Sequence, residues 1–346
     1  MEIQKKRIAH LDKVYAVAAV QIDGRDYCMA ASENRDGTCL LIDIETEQCV
    51  TVGDGPGGVM SLVPVRGEQA VLSIEAFYPV FDSKESVICR TELTLDDGKL
   101  KAVKKKLCNL PYVHRIGVVY EGSRTFLVAS TLCADKAYTE DWSHPGSFFA
   151  GEYKKGCPIT LASLYEGLTK NHGMYIDETK GSPEIYAGAT EGILHIRKEG
   201  DWKVQLWNVG ETSDICLADV DGDGTEEIAV IQGFHGGHIR LLKQQAGGFC
   251  CIGELPLQFG HVLWAGEIFG SLYLIGGSRG GDKELSLYRV ERGEKPGFEL
   301  VYRDVGTGAA QIAVLRGKDK VRILAASHGE DAVDMYTLTI GRRQER

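Results

Sequence analysis

The run His114-Arg-Ile-Gly-Val-Val119 returns as His172-Gly-Met-Tyr-Ile-Asp177, as Asp214-Ile-Cys-Leu-Ala-Asp219 and as His261-Val-Leu-Trp-Ala-Gly266. Each copy sets a polar residue ahead of a short apolar stretch, and in three of the four that residue is histidine. About 16 to 19 residues further on, each meets a second apolar run that ends in small residues: Phe126-Leu-Val-Ala-Ser130, Ile185-Tyr-Ala-Gly-Ala-Thr190, Ile228-Ala-Val-Ile-Gln-Gly233 and Leu274-Ile-Gly-Gly-Ser278. Recurrence at a near-regular interval marks a repeat architecture. Short apolar runs bounded by Gly, Asp and Asn read as strands. If such units stand radially about an axis, the residue at the repeated position converges on one point.

The pattern extends to both ends of the chain. One earlier unit holds Tyr27-Cys-Met-Ala-Ala-Ser32, the next Ala70-Val-Leu-Ser-Ile-Glu75, and a last one Val321-Arg-Ile-Leu-Ala-Ala-Ser327. With a period of roughly 35 to 55 residues, seven units result. No window sustains an amphipathic helix, and Leu161 to Leu168 offers at most one turn of one. Seven such units predict an all-β, seven-bladed β-propeller, a single domain over residues 1–346. Ile3 to Ala9 are then free to supply the outer strand of the last blade. The long third unit leaves room for an extra hairpin, which makes eight blades the competing count.

Composition narrows the partners. A chain of 346 residues, 43% of them hydrophobic, builds a core that needs no disulfide support. A net charge of −10 argues against nucleic acid or an anionic membrane as partner. The run Lys101 to Lys106 is a local exception and reads as a solvated sheet edge. Of ten cysteines, Cys28, Cys39, Cys216 and Cys250 sit inside strand-like runs, and no CxxC spacing occurs. The N-terminus lacks a signal-peptide core, and no apolar stretch approaches membrane-spanning length. Together these point to a reducing cytoplasm.

In a propeller the start of each innermost strand and the end of each second strand share a face. His114, His172, Asp214 and His261 therefore share a rim with the loops Glu33-Asn-Arg35, His235-Gly-Gly-His238, Ser278-Arg-Gly-Gly-Asp282 and His328-Gly-Glu-Asp331. The equivalent positions in the other units fall at Tyr15, near Met60 and near Ala310. Three imidazoles brought together on nearby blades suit a divalent metal at the channel mouth, held by His114, His172 and His261, with Asp214 or water completing the shell. Such ligands favour zinc, manganese, iron or nickel over calcium or magnesium. Satisfied channel-lining histidines without metal are the competing reading.

The longest loop, from Thr131 to Ser147, lies on the same rim and reads as a lid. It offers Tyr138 and His144 for proton transfer and Trp142 and Asp141 for holding a sugar. His235 and His328 on the rim loops are further substrate-binding candidates. Arg279 suits a carboxylate or oxyanion, and Asp214 is a candidate base. On the opposite face, Asp219-Val-Asp-Gly-Asp-Gly-Thr-Glu-Glu227 spaces Asp219, Asp221, Asp223 and Glu227 as oxygen ligands suited to calcium. A tight Asp/Gly turn without an ion explains the same residues equally well.

That turn resembles the FG-GAP/VCBS type of propeller repeat. His261-Val-Leu-Trp-Ala-Gly-Glu267 and Asp141-Trp-Ser-His-Pro-Gly146 are similar to the propeller of aldos-2-ulose dehydratase, and the histidine mouth to propeller-type oligosaccharide lyases. The resemblance implies a metal-dependent lyase or isomerase that abstracts a proton beside a carbonyl and expels a β-oxygen. Its substrate would be a small oxidised sugar, keto-glycoside or sugar acid. A non-catalytic carbohydrate- or protein-binding propeller and a metal-dependent hydrolase remain alternatives.

Overall fold

The computed structural model describes residues 1–53, 55–97 and 99–341; the last five residues of the expected domain lie outside the described residues. Seven four-stranded antiparallel sheets follow one another in a ring, forming a seven-bladed β-propeller. The innermost strands, in blade order, are Val14–Ile22, Ser61–Pro64, Val113–Glu121, Met174–Asp177, Thr212–Ala218, Gly260–Ile268 and Ile312–Arg316. The third unit contributes four strands and no extra hairpin, because the loop between Arg124–Thr131 and Gly146–Tyr153 forms no strand of its own. That loop closes on itself through turns, and the ring keeps seven blades.

The last blade is completed from the other end of the chain. Glu2–His10 pairs with Ala332–Thr339, running from Glu2 opposite Thr339 to His10 opposite Ala332. Arg7 Nε reaches the buried Asp334 carboxylate at 3.3 Å, and Lys5 Nζ lies 2.8 Å from Asp304. Ile8 from this strand is buried in the core. The strand thus closes the circle with hydrogen bonds, apolar contact and paired charge together, and it leaves the 332–339 edge covered.

The sheets bury both faces between neighbouring blades. Met29, Leu41, Leu62 and Val71 join the first blade to the second, and Phe126, Phe148, Leu194 and Ile196 the third to the fourth. Outermost strands are wetter. Lys99–Asn109 is exposed along most of its length, as the lysine run implies. The stretch Leu161 to Leu168, expected to offer at most a helical turn, instead supplies the outermost strand Ala162–Leu168 of the third blade. An outer strand exposed on much of its surface loses the alternation that identifies strands. Among the described residues no helix is long and apolar enough to cross a membrane.

Candidate functional site

The inward residues of the mouth are made by a local backbone device. In three blades the innermost strand carries a β-bulge, and the residue skipped by the pairing is Tyr15, His114 or His261. A bulge re-aims the side chain of its extra residue. Two residues earlier the backbone turns left-handed: φ is 46° at Lys13, 59° at Tyr112, 53° at Lys170 and 59° at Phe259. Gly58 and Gly308 take the same step ahead of Met60 and Ala310, at 58° and 51°. The repeated position read from the sequence is therefore a repeated backbone geometry. The fifth blade departs from it, with Ser213 and Asp214 together opposite Ile231 in an irregular register.

Each of the three repeat histidines has its Nδ1 engaged by the protein. His261 Nδ1 donates to the Ala310 carbonyl at 2.8 Å, and His114 Nδ1 to the His172 carbonyl at 3.2 Å. His172 Nδ1 lies 3.1 Å from Ser213 Oγ and 3.2 Å from the Asp214 carboxylate. This approach needs Gly173, since a Cβ there would stand 2.2 Å from the Ser213 carbonyl oxygen. With Nδ1 carrying the hydrogen, each Nε2 presents a lone pair.

Those Nε2 atoms do not all meet one another. Tyr15 Oη stands between two of them, 3.5 Å from His114 Nε2 and 3.4 Å from His261 Nε2. His172 Nε2 faces His235 Nε2 at 3.2 Å. Ring nitrogens of His172, His235 and His261 lie within 4.8 Å of one another. His114, grouped with His172 and His261 from the sequence, stands outside this set, and His235 from a rim loop stands in it. Burial holds His114, His172 and His261 well below the usual histidine range, and holds His235 down to about 4. All four are neutral at pH 7, the form that ligates.

A cavity of about 330 Å³ opens beside this cluster, lined on its polar side by Tyr15, Glu33, His172, His235, His261 and Arg279. Arg279 Nη1 lies 3.5 Å from His261 Nε2, and its Nη2 lies 3.2 Å from His328 Nδ1. His328 Nε2 is 2.6 Å from Glu33 Oε1. Read as one chain, His328 donates to Glu33 and accepts from Arg279, which fixes the guanidinium against the cavity. His328 thus sits behind Arg279 in the wall. Burial raises the Tyr15 hydroxyl above the usual tyrosine range, so it is a proton donor at neutral pH. In the sequence Tyr15 occupies the repeated position without a polar pattern that assigns it a role, and Glu33 is one residue of a rim loop.

The long loop is braced. Asp141 accepts from Ala137 N at 3.1 Å, Ser143 N at 3.0 Å and Ser143 Oγ at 2.6 Å. The Ser143 bonds hold its carboxyl down to about 2. Lys136 is buried with its ammonium 3.3 Å from the centre of the Trp142 ring. Trp142 packs on Phe81 and Phe234, the latter adjoining His235. Tyr138 and His144 stand exposed, and no hydrogen bond joins either side chain to the histidine cluster among the described residues. Asp214 is spent on His172 and is absent from the cavity lining.

On the opposite face the Asp219 to Glu227 turn has a cation of its own. Lys243 Nζ bonds to Asp221, lies 2.6 Å from Asp223 and 3.2 Å from Glu227. Other carboxylate oxygens of the turn accept backbone amides: Gly222 N on Asp219 at 2.7 Å and Val220 N on Glu227 at 3.0 Å. Asp219, Asp221 and Glu227 do gather closely enough to hold an ion, but an ammonium already sits among these carboxylates.

No family model and no curated protein matches the chain. Solved structures of the same fold are numerous, with 720 chains matching. One is the crystal structure of a putative 6-phosphogluconolactonase from Bacteroides uniformis, 13% identical over 84% of each chain at a TM-score of 0.54. A likeness at that identity is one of fold, and a ring so widely shared leaves function to the residues at its mouth.

Proposed function

We propose that the mouth binds one divalent metal ion through His172, His235 and His261, and that the protein is a carbon–oxygen lyase or isomerase acting on a small carbonyl-bearing sugar. The observation that carries this reading is the approach of three neutral imidazoles within 4.8 Å, two of them with Nδ1 held by protein acceptors. Anchoring of that kind orients metal-ligating histidines. A solved structure of the same fold bears the name of a sugar-related enzyme, which agrees with the substrate class. When bound, the ion would supply a Lewis acid for a carbonyl oxygen.

The chain's own residues divide the remaining work. Arg279, fixed by His328, binds an oxyanion on the cavity wall. Glu33, the carboxylate that lines the cavity, takes the proton from the carbon beside the carbonyl. Tyr15, kept protonated by burial, gives a proton to the departing oxygen. The bonds balance without a redox partner: a C–H and a C–O bond break and a C=C bond forms, Glu33 gains the carbon's proton, Tyr15 loses its own to the departing oxygen, and proton exchange with water resets both groups.

The test is elemental analysis of untagged protein beside an assay on 3-keto glycosides that follows enone absorbance. His235→Ala should lose most of the bound metal and His114→Ala should keep it. Glu33→Gln should lower turnover by about a hundredfold or more at unchanged metal content. Equal metal in His235→Ala and the unaltered protein would refute the assignment. Product formed without enone, carrying oxygen from labelled water, would make the protein a hydrolase.

A further inference from the structure

The cavity has a second wall that the chemistry above leaves unused. Facing the polar side chains are Met60, Val80, Phe81 and Phe259. Val80 is 45% exposed and Phe259 46%, so an apolar edge adjoins the polar site. Behind Phe81 stand Trp142 and Phe234, with ring centres 6.1 and 5.7 Å away. Lys170 lies over both rings, 5.7 Å from Trp142 and 5.4 Å from Phe234, and the Lys136 ammonium over the first. Cations held against these rings fix them in place. Phe259 stacks on His235 at 4.3 Å and 17°, and nearly half of its surface stays exposed.

We propose that the substrate is a sugar bearing a flat aromatic substituent, an aryl glycoside, with the ring seated between Phe81 and Phe259 and the sugar turned toward His172, His261 and Arg279. This rests on the sugar reading of the mouth and adds the identity of the group carried by the departing oxygen. Three features favour an aromatic ring over other occupants. Phenyl rings reward a flat partner by edge and face contact. The cavity, at about 330 Å³, lies at the small end of ligand sites and suits a single sugar with one ring. The apolar lip adjoins the polar floor within that one cavity, so one amphipathic molecule satisfies both.

The experiment compares the affinity of the phenyl and methyl 3-keto-β-D-glucopyranosides for the purified, metal-loaded full chain by calorimetry. The phenyl glycoside should bind about tenfold more tightly, a margin typical of one buried ring contact. Phe81→Ala should abolish that margin, chiefly by weakening the phenyl glycoside, at unchanged metal content. Phe259→Leu, which keeps the apolar volume, should narrow it without loss of fold. Equal affinities for the two glycosides, no binding of either, or a margin that survives both substitutions would overturn the proposal. Metal content in His235→Ala reports on the underlying site separately, so the two readings fail independently.

Discussion

His172 shows how one side chain acquires its chemistry from its neighbours. Asp214 and Ser213 occupy its Nδ1, burial keeps it neutral, and what is left to it is an Nε2 lone pair facing His235. The same burial has a price in acid. In the unfolded chain these histidines bind protons near pH 6.5, whereas in the folded chain His235 does so near 4 and the other three also lie lower. Between about pH 4 and 6.5 the unfolded state therefore holds more protons, and stability rises with pH. Denaturant titrations of metal-free protein should show stability falling from pH 7 to pH 5. Each buried neutral imidazole should steepen the fall by up to about 1.4 kcal/mol per pH unit. His235→Gln should make the slope shallower; an unchanged slope would mean that this imidazole is not protected in the folded protein.

At the scale of single elements, sequence and structure part company at the loops. Tyr15, His114 and His261 were legible because they occupy one register of a repeated strand, and the bulge preserves that register from blade to blade. Glu33, His235 and Arg279 come from loops of different length, where no register tells which side chain turns inward. Asp214 keeps the register in sequence, but the irregular fifth blade sends its carboxylate to His172. The Asp219 to Glu227 turn hid its counter-ion, since Lys243 lies on a strand beyond the next loop. That ammonium gives a clean test. Lys243→Met should lower the thermal midpoint on the order of a few degrees, and millimolar calcium should restore it if the freed oxygens can take up the ion. A midpoint unmoved by the substitution would show that the turn needs no cation.

Across the whole molecule the fold was the most legible feature, because seven alternating repeats admit few arrangements and a closed ring removes the exposed edges. Closure by a strand over Ile3 to Ala9, observed as Glu2–His10, followed from the same count. Ile8→Ala, at the buried point of that strand, should cost about 2–5 kcal/mol in equilibrium unfolding. Deleting residues 2–10 should instead open the Ala332–Thr339 edge and give self-associated protein on size exclusion. A monomeric deletion variant of full stability would mean that three strands suffice for the last blade.

Glu33 and His328 touch although 295 positions separate them along the chain. The mouth therefore behaves like a keystone: its parts arrive from the first and last blades, and they meet only when the arch is complete. A ligand bound there holds every blade at once, and its binding free energy adds to the stability of the entire circle rather than to one segment of it. Partly folded rings, lacking the seam, would have nothing for the ligand to grip, so occupancy of the mouth doubles as a report that assembly is finished.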